Sequence, residues 1–385
     1  MNPRPFPELP TVTPPPDSFL ADRLRAAARG TLYAARAPFL LAAALLHRRV
    51  TLPATTLVHR LLVLRTDRIG DMVLSTGALA DLKGHFRHAR LTVLAPEGPL
   101  QVLHGHPAVD ALVPLRDGAL PHELVGKVDL AIDLTPDERL LGARLAAATR
   151  APWRAGFAAA GRQAFFTLPT APARSDRHIV DLNRDLLVAL GVPAPVSEPR
   201  LYLQAAEQAA AQARVAALGA AAPRIVVHPG AHYESQRWAA ARFAEVIARL
   251  TERIGAACLV VAGPGEEALA EAIGAATPDA LLTGPLDVRG LMGVIAVADL
   301  FLGNNSGPLH IAAALGVPTL SLSGPTDPQR FAPRRPEDLV LRLDLPCSPC
   351  HRGRCWHQTC LTGIPAEAVA ARAQALLQPW LEQAA

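Results

Sequence analysis

Seven short apolar runs punctuate the chain: Leu61 to Leu64, Leu91 to Leu94, Leu130 to Leu134, Ile225 to His228, Cys258 to Ala262, Leu300 to Leu302 and Thr319 to Leu322. Each is too short for a helix and is followed by a longer stretch of helical character, which is the rhythm of parallel strands buried under crossover helices. The series breaks once, where Pro193, Pro195 and Pro199 precede a polar, alanine-rich helix near Gln204 to Leu218. The boundary between two α/β domains is therefore expected between about Pro195 and Pro223. With the change of pattern at Leu57, this gives a tip and arm over 1–56, a Rossmann-like domain over 57–200, and a second over 201–385 that a helix from Pro365 to Leu377 closes. A chain of 385 residues can bury a full core in each. Ligands of doubly wound sheets bind at the carboxyl ends of the strands, so the two domains are expected to face one another across a crevice.

The first 56 residues follow another rule. Seven prolines among the first 16 prevent regular hydrogen bonding, and that tip carries no chemistry. From Ser18 to Arg60 seven arginines stand against one acid, Asp22, interleaved with Leu20, Leu24, Leu32, Phe39, Leu40 and Leu45. Such a basic amphipathic arm either lies on an anionic membrane surface or packs on its own domain with its charges solvated. Elsewhere charge discriminates little. The net charge is +4, and Lys83 and Lys127 are the two lysines among 38 basic residues, so the basicity reflects an arginine and alanine bias rather than a nucleic-acid surface. With 50% hydrophobic residues an extended disordered chain is excluded. The longest apolar run, Phe39 to Leu46, falls far short of the roughly 20 residues that span a bilayer, and it starts too late for a signal peptide. A cytoplasmic protein is expected, at most peripheral on the inner face of the inner membrane. Five cysteines, four of them within 347–360, are too few and too clustered for a secreted disulfide framework.

Candidate chemistry sits where strands end. After the first strand, Arg65-Thr-Asp-Arg-Ile-Gly70-Asp71 leads into an apolar helix from Met72 to Leu82. Gly70 suits a tight turn, and Asp71, at or just before a helix N-terminus, is either a cap or a general base for a hydroxyl nucleophile. The second domain opens with His228-Pro-Gly230-Ala231 and continues through Gln236-Arg237-Trp238. A glycine-bearing loop with an arginine nearby is an anion site, and Arg237 would grip a pyrophosphate bidentately. The bland reading is a surface arginine beside a half-buried Trp238. Ala262-Gly263-Pro-Gly265-Glu266 lacks the third glycine of a dinucleotide fingerprint and is explained as a strand-to-helix turn. The densest segment is Gly303-Asn-Asn305-Ser306-Gly307-Pro308-Leu-His310. Pro308 marks a first helical turn, Asn305 and Ser306 can cap it or bond sugar hydroxyls, and the helix amides form a phosphate cradle. His310 is a buried core histidine or a ligand contact. Gly324-Pro-Thr326-Asp-Pro328 forms a further loop.

These five segments, in this order and spacing over about 57–380, resemble glycosyltransferase family 9, the ADP-heptose:lipopolysaccharide heptosyltransferases. The resemblance implies a GT-B architecture, inverting transfer without a catalytic metal, and an acceptor at the bacterial inner leaflet such as the lipopolysaccharide core. It implies that Asp71, in the Gly-Asp turn, is the base. It also implies donor contacts at Gly70, Gly230, Gln236, Arg237, Gly263, Asn305, Ser306, Gly307 and His310. Two positions depart from the family's pattern: Gln236 stands where most relatives have lysine, and Asn305 where they have aspartate. Both put the donor sugar in question more than the fold.

Cys347, Cys350, Cys355 and Cys360 have the spacing of a zinc knuckle, so they are expected to hold one structural metal through four thiolates, away from the chemistry, and the family resemblance adds iron as the metal. Unligated thiols or disulfides are the alternatives. Three rivals share parts of this picture: a transferase of the same fold using another nucleotide sugar or a protein acceptor, a nucleotide-sugar epimerase, and a metal-knuckle protein binding single-stranded nucleic acid through Arg352, Arg354 and Trp356.

Overall fold

The computed structural model describes residues 50–384 apart from 175 and 220–222, together with positions 31, 35 and 38. The proline-rich tip and nearly all of the basic arm lie outside the described residues. The chain forms two compact units that part between Gln204 and Ala205.

Within residues 18–204 six strands make one sheet: β1 (Arg60–Leu64), β2 (Arg90–Ala95), β3 (Ala111–Pro114), β4 (Leu130–Asp133), β5 (Trp153–Phe157) and β6 (Leu168–Thr170). Within residues 205–385 six more make another: β7 (Arg224–His228), β8 (Ala257–Val260), β9 (Ala280–Leu282), β10 (Leu300–Asn304), β11 (Thr319–Leu322) and β12 (Leu339–Leu341). The orders are β3-β2-β1-β4-β5-β6 and β12-β11-β10-β7-β8-β9, and β1–β2, β1–β4, β7–β8 and β7–β10 all pair in parallel. Allowing for numbering, both sheets have the same doubly wound order. In each, the chain reverses direction across the sheet beside its first strand, between β1 and β4 and between β7 and β10. Crossover loops leave these strand pairs on opposite faces, which opens a place for a ligand at their carboxyl ends.

The seven apolar runs are seven of the eight inner strands of these sheets, largely buried on both faces. β3, β5, β6, β9 and β12 gave no such signal. β3, β6, β9 and β12 are the edge strands and are only partly buried, so their sequences need not be continuously apolar; β5, next to the edge strand β6, is buried only over Ala155, Gly156 and Phe157. Helices cover the sheets by the usual spacing rule. In Ala240–Ile254, Phe243, Val246, Ile247 and Leu250 recur at three- and four-residue intervals and are buried, each contributing about 1.5–3 kcal/mol. The helix ends at Gly255, whose φ of 62° is the left-handed conformation that glycine adopts without a side-chain penalty. The closing helix, Ala366–Ala384, runs past the expected Leu377 through Pro379, and buries Val369, Ala370, Ala373 and Leu377. The apolar helix expected from Met72 to Leu82 is instead two helices, Ile69–Val73 and Thr76–His85. The hydroxyls of Ser75 and Thr76 donate back to the carbonyls of Asp71 and Val73 at 2.8 Å, which favours a break there.

Candidate functional site

In the unit spanning 18–204, the carboxyl ends of β1 and β4 carry a dense set of charges. Arg65 follows β1 and is completely buried; its Nη1 donates to the carbonyl of Leu134 at the end of β4, its Nε lies 2.8 Å from Asp67 Oδ1, and its Nη2 lies 3.5 Å from Asp71 Oδ1. Asp71 is the third residue of its helix and not ahead of it, because Arg68 takes the cap position. Its Oδ2 accepts a long hydrogen bond of 3.4 Å from the Arg68 amide. A quarter of the side chain is exposed, so the carboxylate is open to a substrate. Gly70 is the second residue of that helix and buried, so it serves helix packing and not the tight turn expected of it.

The loop after β4 is braced from beneath. Arg162 Nη2 and Asp133 Oδ2 form an ion pair of 2.6 Å in which neither side chain has any exposure. Arg162 Nη1 also donates to the carbonyls of Thr135 at 2.7 Å and of Asp137, and Asp133 Oδ1 accepts from the Thr135 amide at 3.0 Å. The loop thereby holds Asp137 and its partner Arg139, whose charge reaches both Asp67 and Asp71. Sequence reasoning missed Asp133 and Arg162, since neither belongs to a motif and they lie 29 residues apart.

In the unit spanning 205–385, the ends of β7 and β10 meet in a hydrogen-bonded chain. His228, at the end of β7, lies 3.1 Å through Nε2 from Glu266 Oε2 and 3.2 Å through Nδ1 from Ser306 Oγ. Burial works against ionisation of Glu266, but the hydrogen bond and charge of His228, the Gly263 amide and Arg237 together hold its carboxyl below the usual range. Gly263 donates its amide to Glu266 Oε2 at 3.1 Å. A Cβ on Gly230 would collide with the same carboxylate, so that glycine leaves room for Glu266. Sequence reads Glu266 as the end of a plain turn; Gly263 lies in that turn, and His228 and Arg237 are brought to it by the pairing of β7 with β8.

Ser306 occupies the cap position of helix Gly307–Ala314 but makes no side-chain cap. Its hydroxyl is engaged by His228, which leaves the first-turn amides without a side-chain partner from that residue. His310 is buried on this helix, and the Asn305 amide donates to the Leu322 carbonyl at 3.3 Å. Asn304, not singled out from sequence, accepts from the Trp238 amide at 3.0 Å and donates to the Pro229 carbonyl at 2.7 Å, which ties the two loops together. Trp238 is fully buried rather than half-buried, edge-on to Phe243. Arg237 donates from Nε to the Ala231 carbonyl at 2.9 Å and lies 3.8 Å from Glu266 Oε1, one third exposed. Gln236 donates to Thr326 Oγ1 at 2.7 Å and so joins the Gly324–Pro328 loop to the site.

The four clustered cysteines are free thiols. Among the described residues, no group of three or more His, Cys, Asp or Glu side chains is gathered as a metal needs, so the expected four-thiolate knuckle is not assembled. Cys360 packs into the hydrophobic core beside Leu361 and Ile364. Burial, aided by the other three thiols, pushes it up to about 12. Spacing along a loop does not fix which way each sulfur turns. The loop instead buttresses the Gln236–Thr326 corner, because the amides of Cys350 and His351 donate to the Pro325 carbonyl at 3.1 and 2.8 Å and Ser235 Oγ donates to the Arg352 carbonyl.

Two parallel sheets of this order, each with its polar residues at the strand ends where the order reverses, define the GT-B class of α/β proteins. A family model described as Glycosyltransferase family 9 (heptosyltransferase) matches residues 118–361, well over half the chain. The protein belongs to glycosyltransferase family 9. It is 27% identical over 320 residues to lipopolysaccharide heptosyltransferase 1 of Pseudomonas aeruginosa, covering 78% of this chain and 88% of that one. It is 29% identical over 282 residues to lipopolysaccharide heptosyltransferase 3 of Escherichia coli, covering 67% and 81%. The structure of the E. coli ADP-heptose lps heptosyltransferase II superposes with a TM-score of 0.69 at 22% identity, over 83% of this chain and 99% of that one. Among the described residues no helix is long and apolar enough to cross a membrane.

Proposed function

We propose that this enzyme transfers a heptose from ADP-heptose to a sugar hydroxyl of the lipopolysaccharide core, with inversion at the anomeric carbon. The observation that carries this reading is the uncapped N-terminus of helix Gly307–Ala314 beside the Ser306-His228-Glu266 chain, in a chain of family 9. The first-turn amides offer the leaving diphosphate hydrogen bonds and the positive end of a helix dipole. Glu266 accepts hydrogen bonds and repels phosphate, so it faces hydroxyls of the donor while Arg237, Gln236 and Asn305 complete the diphosphate and sugar contacts. Asp71 takes the proton of the acceptor hydroxyl as its oxygen attacks the face opposite the nucleotide. Residues 18–56 rest on the anionic inner-membrane surface, where a lipid-linked acceptor is met.

The test is ADP release from ADP-heptose with acceptor-bearing anionic vesicles. ADP should accumulate only when acceptor is present, and the enzyme should float with the vesicles at low salt and separate from them at high salt. Sugar exchange or epimerisation without acceptor would exclude the transferase reading. Replacing Arg237 with alanine should weaken ADP binding by about 1.5–3 kcal/mol, the worth of a charge-assisted hydrogen bond. Unchanged affinity by calorimetry would leave the diphosphate to the backbone amides alone.

A further inference from the structure

The carboxyl end of β1 holds a carboxylate that the mechanism above does not use. Arg65 lies between two acids, with Asp67 Oδ1 2.8 Å from its Nε and Asp71 Oδ1 3.5 Å from its Nη2. Its third nitrogen is fixed by the Leu134 carbonyl, so the guanidinium cannot swing wholly to either acid. Neither contact is an aligned hydrogen bond: Arg65 Nε, Arg65 Nη2 and Asp67 Oδ1 are all buried without a hydrogen-bond partner. A buried cation with two poorly aligned anions divides its attraction between them according to which of them is charged. Asp67 is the more enclosed, with 9% of its side chain exposed against 25% for Asp71.

We propose that Asp67 is a positioning residue for Asp71: when ionised it takes the nearer share of the Arg65 guanidinium, which leaves the Asp71 carboxylate only loosely paired and free to take the acceptor proton. The proposal rests on the reading of Asp71 as the base. When Asp67 is protonated, Asp71 is the remaining anion beside the fixed guanidinium, and a carboxylate held in that ion pair is less free to take the acceptor proton. The charged groups facing Asp67 are Arg65 from the end of β1, Asp71 from helix Ile69–Val73, and Arg139 from the loop after β4, itself paired with Asp137. Burial, with the charge of Asp71 adding to it against the pull of Arg65 and Arg139, pushes Asp67 up to about 6. The switch thus falls just below neutral pH: turnover is sustained above about pH 6 and lost as Asp67 gains its proton below it.

The experiment is the pH dependence of kcat for acceptor-dependent ADP release by the full chain. In Asp67→Asn the acid limb near pH 6 should vanish, and kcat at pH 8 should settle at the low-pH level of the native enzyme, about 10-fold down, with KM for the donor unchanged. Asp67→Glu should restore part of both. Arg139→Gln, which removes a cation favouring ionised Asp67 from a largely exposed position, should move the limb to higher pH and keeps the test open if Asp67→Asn does not fold. A limb unchanged in Asp67→Asn, or in Arg139→Gln where the other fails to fold, together with an inactive Asp71→Asn, overturns the proposal while sparing the base. An active Asp71→Asn overturns both.

Discussion

Replacing Asp71 with asparagine is expected to lower kcat by about 100-fold or more, roughly 2.7 kcal/mol of transition-state stabilisation, while ADP affinity stays within about twofold. The substitution isolates proton transfer. Asparagine keeps an oxygen to accept the 3.4 Å bond from the Arg68 amide, so the start of the helix survives. What it cannot do is take a proton from the acceptor hydroxyl. Arg65 loses one of its two anionic partners and keeps the nearer, Asp67. Turnover near normal would leave Asp71 as a helix-start residue and move the search for a base to another carboxylate of the same strand ends. The measurement is steady-state ADP release, with calorimetric ADP binding as the control for folding.

The second large effect concerns stability. Arg162→Met should destabilise the unit spanning 18–204 by about 3–5 kcal/mol, because it strands Asp133 as an unpaired charge in a site without solvent access. At roughly 2–4 °C per kcal/mol for a unit of this size, the first thermal transition should fall by about 6–20 °C. The double variant Asp133→Leu with Arg162→Met should recover much of the loss, since a buried ion pair is worth little more than apolar residues of similar volume. The recovery will be incomplete, because Arg162 also donates to the carbonyls of Thr135 and Asp137 and shapes the loop that presents Arg139. If the single variant melts within about 2 °C of the native protein, the pair is not the brace described.

Much of this protein was legible in its sequence. The inner strands announced themselves because a strand covered on both faces by helices must be apolar through its middle, as β1, β4, β7 and β10 are between their polar ends. The loops that follow them could be named, because glycine, proline and small polar residues at a strand end mark a chain reversal next to backbone amides that seek partners. Edge strands such as β6 and β9 could not be named, since partial exposure removes the need for a continuous apolar run.

What tertiary structure alone decided is which polar groups meet. Glu266 joins His228 across 38 residues and His228 joins Ser306 across 78, because β8 and β10 pair with β7 on either side. Arg65 reaches the Leu134 carbonyl across 69 residues, because β1 pairs with β4. The same distinction separates the two sequence motifs that changed meaning. The glycine of Gly230 was visible, but its reason, the carboxylate of Glu266 pressed against it, was not. The four cysteines were visible, but that Cys360 packs into the apolar core with Leu361 and Ile364 was not. Period and composition are properties of the chain alone, and they determine elements. Contacts between distant side chains depend on strand order and rotamers, which the whole fold settles together.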